Sequence, residues 1–263
     1  MNISRSILFL AAALFLATGA IAKPVEKSAE TRILISKEKR YNIAEYGAIS
    51  DGKTLNTKAI QATIDKCAQE GGGTVVVPAG VFLSGALFLK PGVNLELQEA
   101  AVLKGSTNIE DYPKVNTRIE GHFEPWRTAL INGDKVDGLR ISGPGTLDGS
   151  GEPFYKLFYT TRERVKGTKN LDVERPRLTL IQNSKNIKIS GVKYLNSGFW
   201  NLHVYRCQDV VIENCSFIAP SGKVPDRGPS SDGIDIDSSQ DILISGCFFS
   251  IGDDCIALKG SKG

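Results

Sequence analysis

Short apolar segments broken by turn residues dominate the chain from residue 73 onward. They have the length and the β-branched content of strands, and the first of them are 74–78, 81–83, 86–89 and 93–97. Before them, apolar residues repeat at helical spacing from Ile60 to Cys67, and the run Gly71–Gly73 would end such a helix. The pattern predicts an all-β protein with one N-terminal α-helix that begins at Asn56 or Thr57.

A seven-residue pattern then recurs along the chain. It reads polar, Asn/Asp/Gly, aliphatic, any residue, Ile, polar, Gly/Asn, and its copies are 137–143, 185–191, 208–214 and 240–246. The central isoleucines are 48, 23 and 32 residues apart, which fits coils of roughly two dozen residues with one doubled step and one loop insertion. Repeats of this kind stack into a solenoid, so we expect a right-handed parallel β-helix with the α-helix capping its N-terminal end. A β-sandwich or a propeller would not explain a single helix followed by in-register repeats.

Three longer segments interrupt the repeats. We expect them to be irregular loops on one side of the solenoid, where they would build a binding groove. They are residues 104–128, 150–178 and 219–231.

The N-terminus has the pattern of a secretory signal peptide over residues 1–22. Arg5 is followed by an apolar stretch, and Ala20-Ile21-Ala22 fits a cleavage site. An uncleaved anchor is the alternative. We expect an exported protein, periplasmic or extracellular, with a lead-in over residues 23–40 and a β-helix domain over residues 41–263.

The composition of the chain argues against several classes of function. The chain of 263 residues has 32 basic and 29 acidic residues, and no Lys/Arg cluster is interleaved with aromatic residues, which argues against nucleic acid as a partner. The five cysteines form no C-x-x-C pair, so a zinc or redox site is not expected. Buried hydrophobic packing is the favoured role for them, and one disulfide remains open. No membrane partner is expected after signal cleavage, and we expect a monomer.

The candidate chemistry lies in two acidic segments near the end of the chain. Carboxylates among strand-forming residues are costly unless they are hydrogen-bonded or functional, and those of the two segments are Asp232, Asp235, Asp237, Asp253 and Asp254. Asp232 and Asp253 are 21 residues apart, close to one coil, so they would lie on stacked neighbouring strands about 4.8 Å apart. Asp241 falls on a turn of the repeat and is assigned to structure.

Structural interpretations compete with the chemical one. Asp232 could stabilise the bend at Gly233, and Asp253-Asp254 could be a solvated turn pair. Asp235 and Asp237 share one face of a strand and would fit an Asp/Asn ladder.

Two further features have structural interpretations. The run from Asp235 imitates the start of a calcium loop but has Gln240 and Gly246 where that loop needs Gly and Glu, so no metal site is expected. His203 fits a structural histidine beside Trp200.

Several segments, taken in order, resemble the family-28 glycoside hydrolases, the polygalacturonase family. The resemblance runs from about residue 41 to the last residue, and its two acidic motifs are the specific part. The matching segments are 44–48, 51–52, 71–80, 143–149, 197–203, 231–235 and 252–254.

The resemblance implies hydrolysis of a pectin-type polysaccharide such as galacturonan, with inversion of configuration and without a cofactor. It assigns Asp253 as the general acid and Asp232 with Asp254 as the pair that activates water. Asp235 and His203 are the candidate substrate-binding residues.

The sequence departs from the family pattern in two places. The usual Asn-Thr-Asp is Ser230-Ser231-Asp232 here, which puts the fine substrate contacts in doubt. The family's Gly-His-Gly and Arg-x-Lys motifs are not found before Gly263, so we expect a chain truncated at its C-terminal end and inactive alone. A pectate-lyase-like enzyme and a non-catalytic carbohydrate-binding β-helix remain alternatives.

Overall fold

The computed structural model describes residues 38–225 and 227–260. The predicted signal peptide and residues 23–37 of the predicted lead-in lie outside the described residues. The rest belongs to one compact unit that begins at Glu38. No helix within the described ranges is both long enough and apolar enough to cross a membrane.

Most of the described chain is extended. Its strands, in chain order, are β1 (Arg40–Asn42), β2 (Asp51–Leu55), β3 (Gly73–Val77), β4 (Gly80–Ser84), β5 (Leu87–Phe88), β6 (Val93–Leu97), β7 (Ala101–Gly105), β8 (Lys114–Ile119), β9 (His122–Arg127), β10 (Ile131–Asp134), β11 (Arg140–Ser142), β12 (Thr146–Asp148), β13 (Thr179–Gln182), β14 (Lys185–Ser190), β15 (Lys193–Leu195), β16 (Leu202–Tyr205), β17 (Gln208–Glu213), β18 (Ser216–Ile218), β19 (Ile234–Asp237), β20 (Gln240–Ser245), β21 (Phe248–Ser250) and β22 (Ile256–Lys259). The α-helices are α1 (Thr57–Gln69) and α2 (Glu152–Arg164), and short 3₁₀ turns lie at Ile43–Tyr46, Ile109–Asp111 and Asn170–Asp172.

The strands form three parallel sheets that wrap around one core. Sheet 1 has the order β1-β3-β6-β11-β14-β17-β20, sheet 2 has β5-β10-β13-β16-β19-β22, and sheet 3 has β2-β4-β7-β12-β15-β18-β21. Each full coil therefore gives one strand to each sheet. This is the predicted right-handed parallel β-helix.

The predicted repeats lie in register in sheet 1. The central isoleucines stack in order, with Ile141 beside Ile189, Ile189 beside Ile212 and Ile212 beside Ile244. The second position of each copy has a positive φ, which Gly, Asn and Asp tolerate best, at Gly138 (77°), Asn186 (58°), Asp209 (55°) and Asp241 (55°). The assignment of Asp241 to a structural turn is consistent with this.

One prediction about the repeats is wrong. Ile141 and Ile189 belong to adjacent coils, so the step of 48 residues is a single coil with a long insertion and not two coils. The apolar spacing alone does not reveal how much chain leaves a coil between two of its strands.

Helix α1 packs at the N-terminal end of the coil. Its apolar face buries Ile60, Ile64 and Cys67 against the first strands, as the helical spacing predicted. Asn56 occupies the N-cap position, but its side chain accepts a hydrogen bond from the Ile49 N–H (2.7 Å) and does not cap the helix.

Aromatic side chains stack in the interior of the last coils. Tyr194, Phe217 and Phe249 have ring centroids 4.7 and 5.1 Å apart along the axis. All five cysteines are free, and three of them are buried, as their assignment to hydrophobic packing predicted: Cys67, Cys207 and Cys215.

The three insertions leave the coil at the same corner, between a strand of sheet 3 and the next strand of sheet 2. Two of them are not irregular, which corrects the prediction. The first carries the antiparallel hairpin β8–β9. The second carries α2, which buries Phe154, Tyr155, Phe158 and Tyr159.

Candidate active site

The outer face of sheet 2 carries the polar side chains. Strand β19 alternates, with Ile234 and Ile236 facing the core and Asp235 and Asp237 facing outward. The register neighbours of Asp235 are His203 and Ala257, and those of Asp237 are Tyr205 and Lys259. The predicted Asp/Asn ladder is therefore wrong, although the shared face of the two aspartates is confirmed.

Asp232 and the Asp253-Asp254 pair lie on adjacent coils, just before β19 and β22. The Gly233 N–H donates to the Asp254 carbonyl at 2.9 Å, and Ile234 pairs with Ile256 two residues later. Asp254 is thus the residue level with Asp232, and Asp253 precedes it. Asp232 is almost fully buried, whereas Asp253 and Asp254 are exposed.

A buried carboxyl pair with one lysine lies at the centre of the site. Lys259 Nζ is 3.3 Å from Asp232 Oδ2 and 3.0 Å from Asp235 Oδ1. Burial is the main cause that raises the pKa of Asp232; Lys259 opposes this rise, and the charge of Asp253 adds to it. Burial, and next the charge of Asp232, raise the pKa of Asp235 well above its usual range. Burial thus favours the protonated form of both carboxyl groups, and more strongly for Asp235 than for Asp232.

Sequence reasoning missed Lys259. The signal was its phase: Lys259 follows Ala257 by two residues, so it shares the outer face of the last strand. Its ammonium group lies 4.3 Å from the centre of the Trp200 ring, which fixes the side chain over the site. No group of three or more His, Cys, Asp or Glu side chains among the described residues is arranged to hold a metal ion.

His203 is fully buried behind this centre, with its ring edge-on to Trp200 at 5.0 Å. Arg177 Nη1 lies 2.9 Å from His203 Nδ1, and because arginine only donates, Nδ1 is the unprotonated nitrogen. His203 Nε2 then carries the proton and lies 3.5 Å from Asp237 Oδ2. Burial lowers the pKa of His203 to about 4, against the partial opposition of Asp237.

The hairpin β8–β9 forms one wall of the site. Arg118 on β8 pairs with Asp237 through both carboxylate oxygens, at 2.9 and 3.2 Å. Although burial opposes ionisation of Asp237, the contacts with His203, Arg118 and Ser238 lower its pKa.

Arg175 is the anchor of the opposite wall. It is fully buried and donates to the Pro229 carbonyl at 2.8 Å and to Asn170 Oδ1 at 2.6 Å. Its guanidinium lies 4.2 Å from the ring centre of Phe158 on α2. One side chain thus connects α2, the segment after it and the loop before Asp232.

Comparison with known proteins identifies the family of this chain. The profile of glycosyl hydrolases family 28 matches residues 67–263. The chain belongs to this family. The family resemblance of the motifs is thereby confirmed.

Relatives within family 28 cover most of this chain. A probable polygalacturonase of Vitis vinifera is 33% identical over 227 residues, which is 83% of this chain and 44% of the relative. An exo-poly-alpha-D-galacturonosidase of Dickeya chrysanthemi is 31% identical and covers 84% of this chain and 42% of its own length. The crystal structure of a hyperthermoactive exopolygalacturonase from Thermotoga maritima gives a TM-score of 0.73 at 27% identity, over 86% of this chain and 55% of that one. The chain spans about half the length of the curated relatives that it matches.

The family-28 segment 143–149 has a role in the packing of the coils and lies outside the candidate active site. A Cβ atom on Gly143 would lie 2.0 Å from the Leu97 carbonyl oxygen, and one on Gly145 would lie 2.6 Å from the Leu97 Cβ. The glycines of this motif therefore let two coils approach closely. The motif marks the fold, whereas the acidic segments mark the candidate site.

Proposed function

We propose that this chain carries the acidic part of a glycoside hydrolase site that cleaves galacturonan-type pectic polysaccharide with inversion. The observation that carries the proposal is the placement of Asp232 level with Asp254 on adjacent coils, with Asp253 beside them. The names of relatives, among them a polygalacturonase and an exo-poly-alpha-D-galacturonosidase, support the substrate class.

In this proposal Asp253 is the general acid and donates its proton to the glycosidic oxygen as the bond to the anomeric carbon breaks. Asp232 and Asp254 accept a proton from the water that attacks that carbon from the opposite face. The products are a sugar with a free hydroxyl and a hemiacetal of inverted configuration.

Lys259 favours the ionised form of Asp232. Its ammonium supplies an opposite charge 3.3 Å from Asp232 Oδ2 and opposes the rise in the pKa of that carboxyl group. Asp235 and His203 are themselves fully buried, so in this proposal they position Asp232 and Trp200 and do not touch the substrate. The pattern of residues 1–22 supports action outside the cytoplasm, and we expect the protein to act as a monomer.

The test is release of reducing ends from polygalacturonate by a full-length version of the protein, which carries the downstream motifs, and by two variants of it. Asp253→Asn abolishes turnover, whereas Asp241→Asn, a turn position at which Asn adopts the same backbone, leaves it unchanged. Turnover by Asp253→Asn would remove the acid assignment. Products that absorb ultraviolet light as unsaturated uronates would instead indicate a lyase, and binding without turnover would indicate a carbohydrate-binding solenoid.

The stereochemical part has its own measurement. NMR of the first-formed product identifies its anomer before mutarotation. A retained configuration would contradict the inverting mechanism.

A further inference from the structure

A cavity of about 470 Å³ opens beside Asp253. One side is the C-terminal half of α2 and the segment 168–170 that follows it. The other side is the segment around Arg227 and Ser230, which leads into Asp232. The cavity thus lies between an insertion of the coil and the candidate general acid.

Three basic side chains line this cavity: Arg162, Lys169 and Arg227. All three are exposed, and none forms an ion pair with an acidic side chain of the described residues. The acid that lines the same cavity is Asp253, so the lining carries an excess of positive charge.

The walls of the cavity are held by buried contacts. Arg175 joins Phe158 of α2, Asn170 and Pro229, and Ser230 Oγ donates to Asn170 Oδ1 at 3.0 Å. The backbone that carries each basic residue is therefore anchored within a few residues. A cavity held in this way needs little reordering to receive a ligand.

The negative charge of the acidic site indicates which kind of glycan would need the positive charge of the cavity. Asp232 and Asp254 repel an anionic chain, and Lys259 is already engaged by Asp232 and Asp235. A neutral glycan would need no further positive charge, whereas a polyuronate would.

We infer that Arg162, Lys169 and Arg227 form an anion subsite that holds the carboxylate of a uronate residue next to Asp253. This rests on the proposed function for the reaction, but the binding is independent of turnover. Arginine and lysine contacts to a carboxylate are charge-assisted and discriminate against its neutral ester.

The probes are trigalacturonate, its fully methyl-esterified form and neutral galactotriose, titrated into the protein and followed by calorimetry. The test variant is Arg162→Gln/Arg227→Gln, with Lys169→Gln as an independent single variant. The matched control is Arg164→Gln/Lys166→Gln, which removes the same charge from exposed residues of the same insertion that do not line the cavity.

We expect the test variant to bind trigalacturonate about tenfold or more weakly, and the control to bind it as the unchanged protein does. The esterified and neutral probes bind the unchanged protein weakly, and the test substitutions do not alter that. Equal binding of all three probes, or equal loss in test and control variants, overturns the subsite.

Failure of the subsite and failure of the proposed reaction are distinguishable. If the protein binds trigalacturonate through these residues but does not cleave polygalacturonate, the reaction is wrong and the subsite stands. If it cleaves polygalacturonate and the test variant binds trigalacturonate unchanged, the subsite is wrong and the reaction stands.

Discussion

Arg118 and Asp237 lie 119 residues apart in the chain and form a buried ion pair, with Arg118 Nε 2.9 Å from Asp237 Oδ2. Arg118 also donates to the carbonyls of Gly121 and Gly260, at 2.6 and 2.9 Å. A single guanidinium thus connects the hairpin to itself, to β19 and to the end of β22. This buried charge pair holds the wall over the site together with other contacts, such as those of Arg177 with Thr117 and of Trp126 with the Arg175 carbonyl.

Removing one partner of this pair leaves the other partner buried without its counter-charge. Arg118→Met leaves Asp237 buried without its main counter-charge, and we expect it to lower the free energy of unfolding by about 3–5 kcal/mol. The double variant Arg118→Met/Asp237→Asn is expected to lose much less than the sum of its two single variants. Chemical denaturation of the four proteins measures the coupling, and additive losses would show that the pair does not act as a unit.

Lys259 sets the acidic limit of activity in the proposed mechanism. Lys259→Met keeps the bulk over Trp200 but removes the charge that lowers the pKa of Asp232, so that pKa rises. In the full-length version we expect the acidic limb of the kcat/KM profile to move to higher pH. Lys259→Arg keeps the charge and is expected to leave the limb near its original place. An acidic limb unchanged in the methionine variant would contradict the role.

His203 makes stability depend on pH in a defined window. Its pKa falls from 6.5 to about 4 on folding, because its ring is buried against Arg177. Between these values the unfolded chain binds a proton that the folded protein does not, so the free energy of unfolding falls as the pH drops from 6.5 towards 4.

The variant His203→Gln lacks this titration. We expect the stability difference between it and the unchanged protein to shift in favour of the variant by about 3 kcal/mol between pH 7 and pH 4. Denaturant unfolding at both pH values measures this shift. The same pH dependence in His203→Gln and in the unchanged protein would exclude His203 as the cause.

Two glycines of the same repeat allow the cost of backbone strain to be measured apart from the cost of close contact between coils. Gly138 has a φ of 77° and open space around its Cβ position, whereas Gly143 has a φ of 102° and a backbone oxygen 2.0 Å away. We expect Gly138→Ala to cost about 1 kcal/mol through its backbone alone. Gly143→Ala should cost about 3 kcal/mol or more, because two coils must move apart. Thermal unfolding compares them, and equal losses would show that φ alone accounts for both.

Local patterns predicted the coil well. The repeat gave the register of sheet 1 because each copy contains its own turn residue, such as Asn186, and its own core isoleucine, such as Ile189. The spacing of Asp232 and Asp253 predicted that they lie on adjacent coils, as they do, but the residue level with Asp232 is Asp254 and not Asp253. These features depend on residues that are close in sequence or repeated at a fixed period.

The walls of the site were not predictable in the same way. The sequence shows the apolar residues of α2, from Phe154 to Tyr159, but not what they pack on. They do not join the core of the coil, and Phe158, for example, packs on Arg175. Arg118 and Lys259 are single basic residues, and the contacts that each makes depend on which strand lies beside it. Only the folded arrangement brings either of them to an aspartate.

The three corners of each coil differ in what they permit. From β3 onward, two of the corners are closed by only two to five residues, among them residues with positive φ such as Asn183 and Gly191, and each of the three insertions leaves at the third corner. The spacing between the carboxylates is therefore set by one part of the chain, and access to them by another. Segments at the open corner can be lengthened, shortened or exchanged between related proteins without altering the distance between Asp232 and Asp254, so substrate preference can change while the reaction centre stays the same.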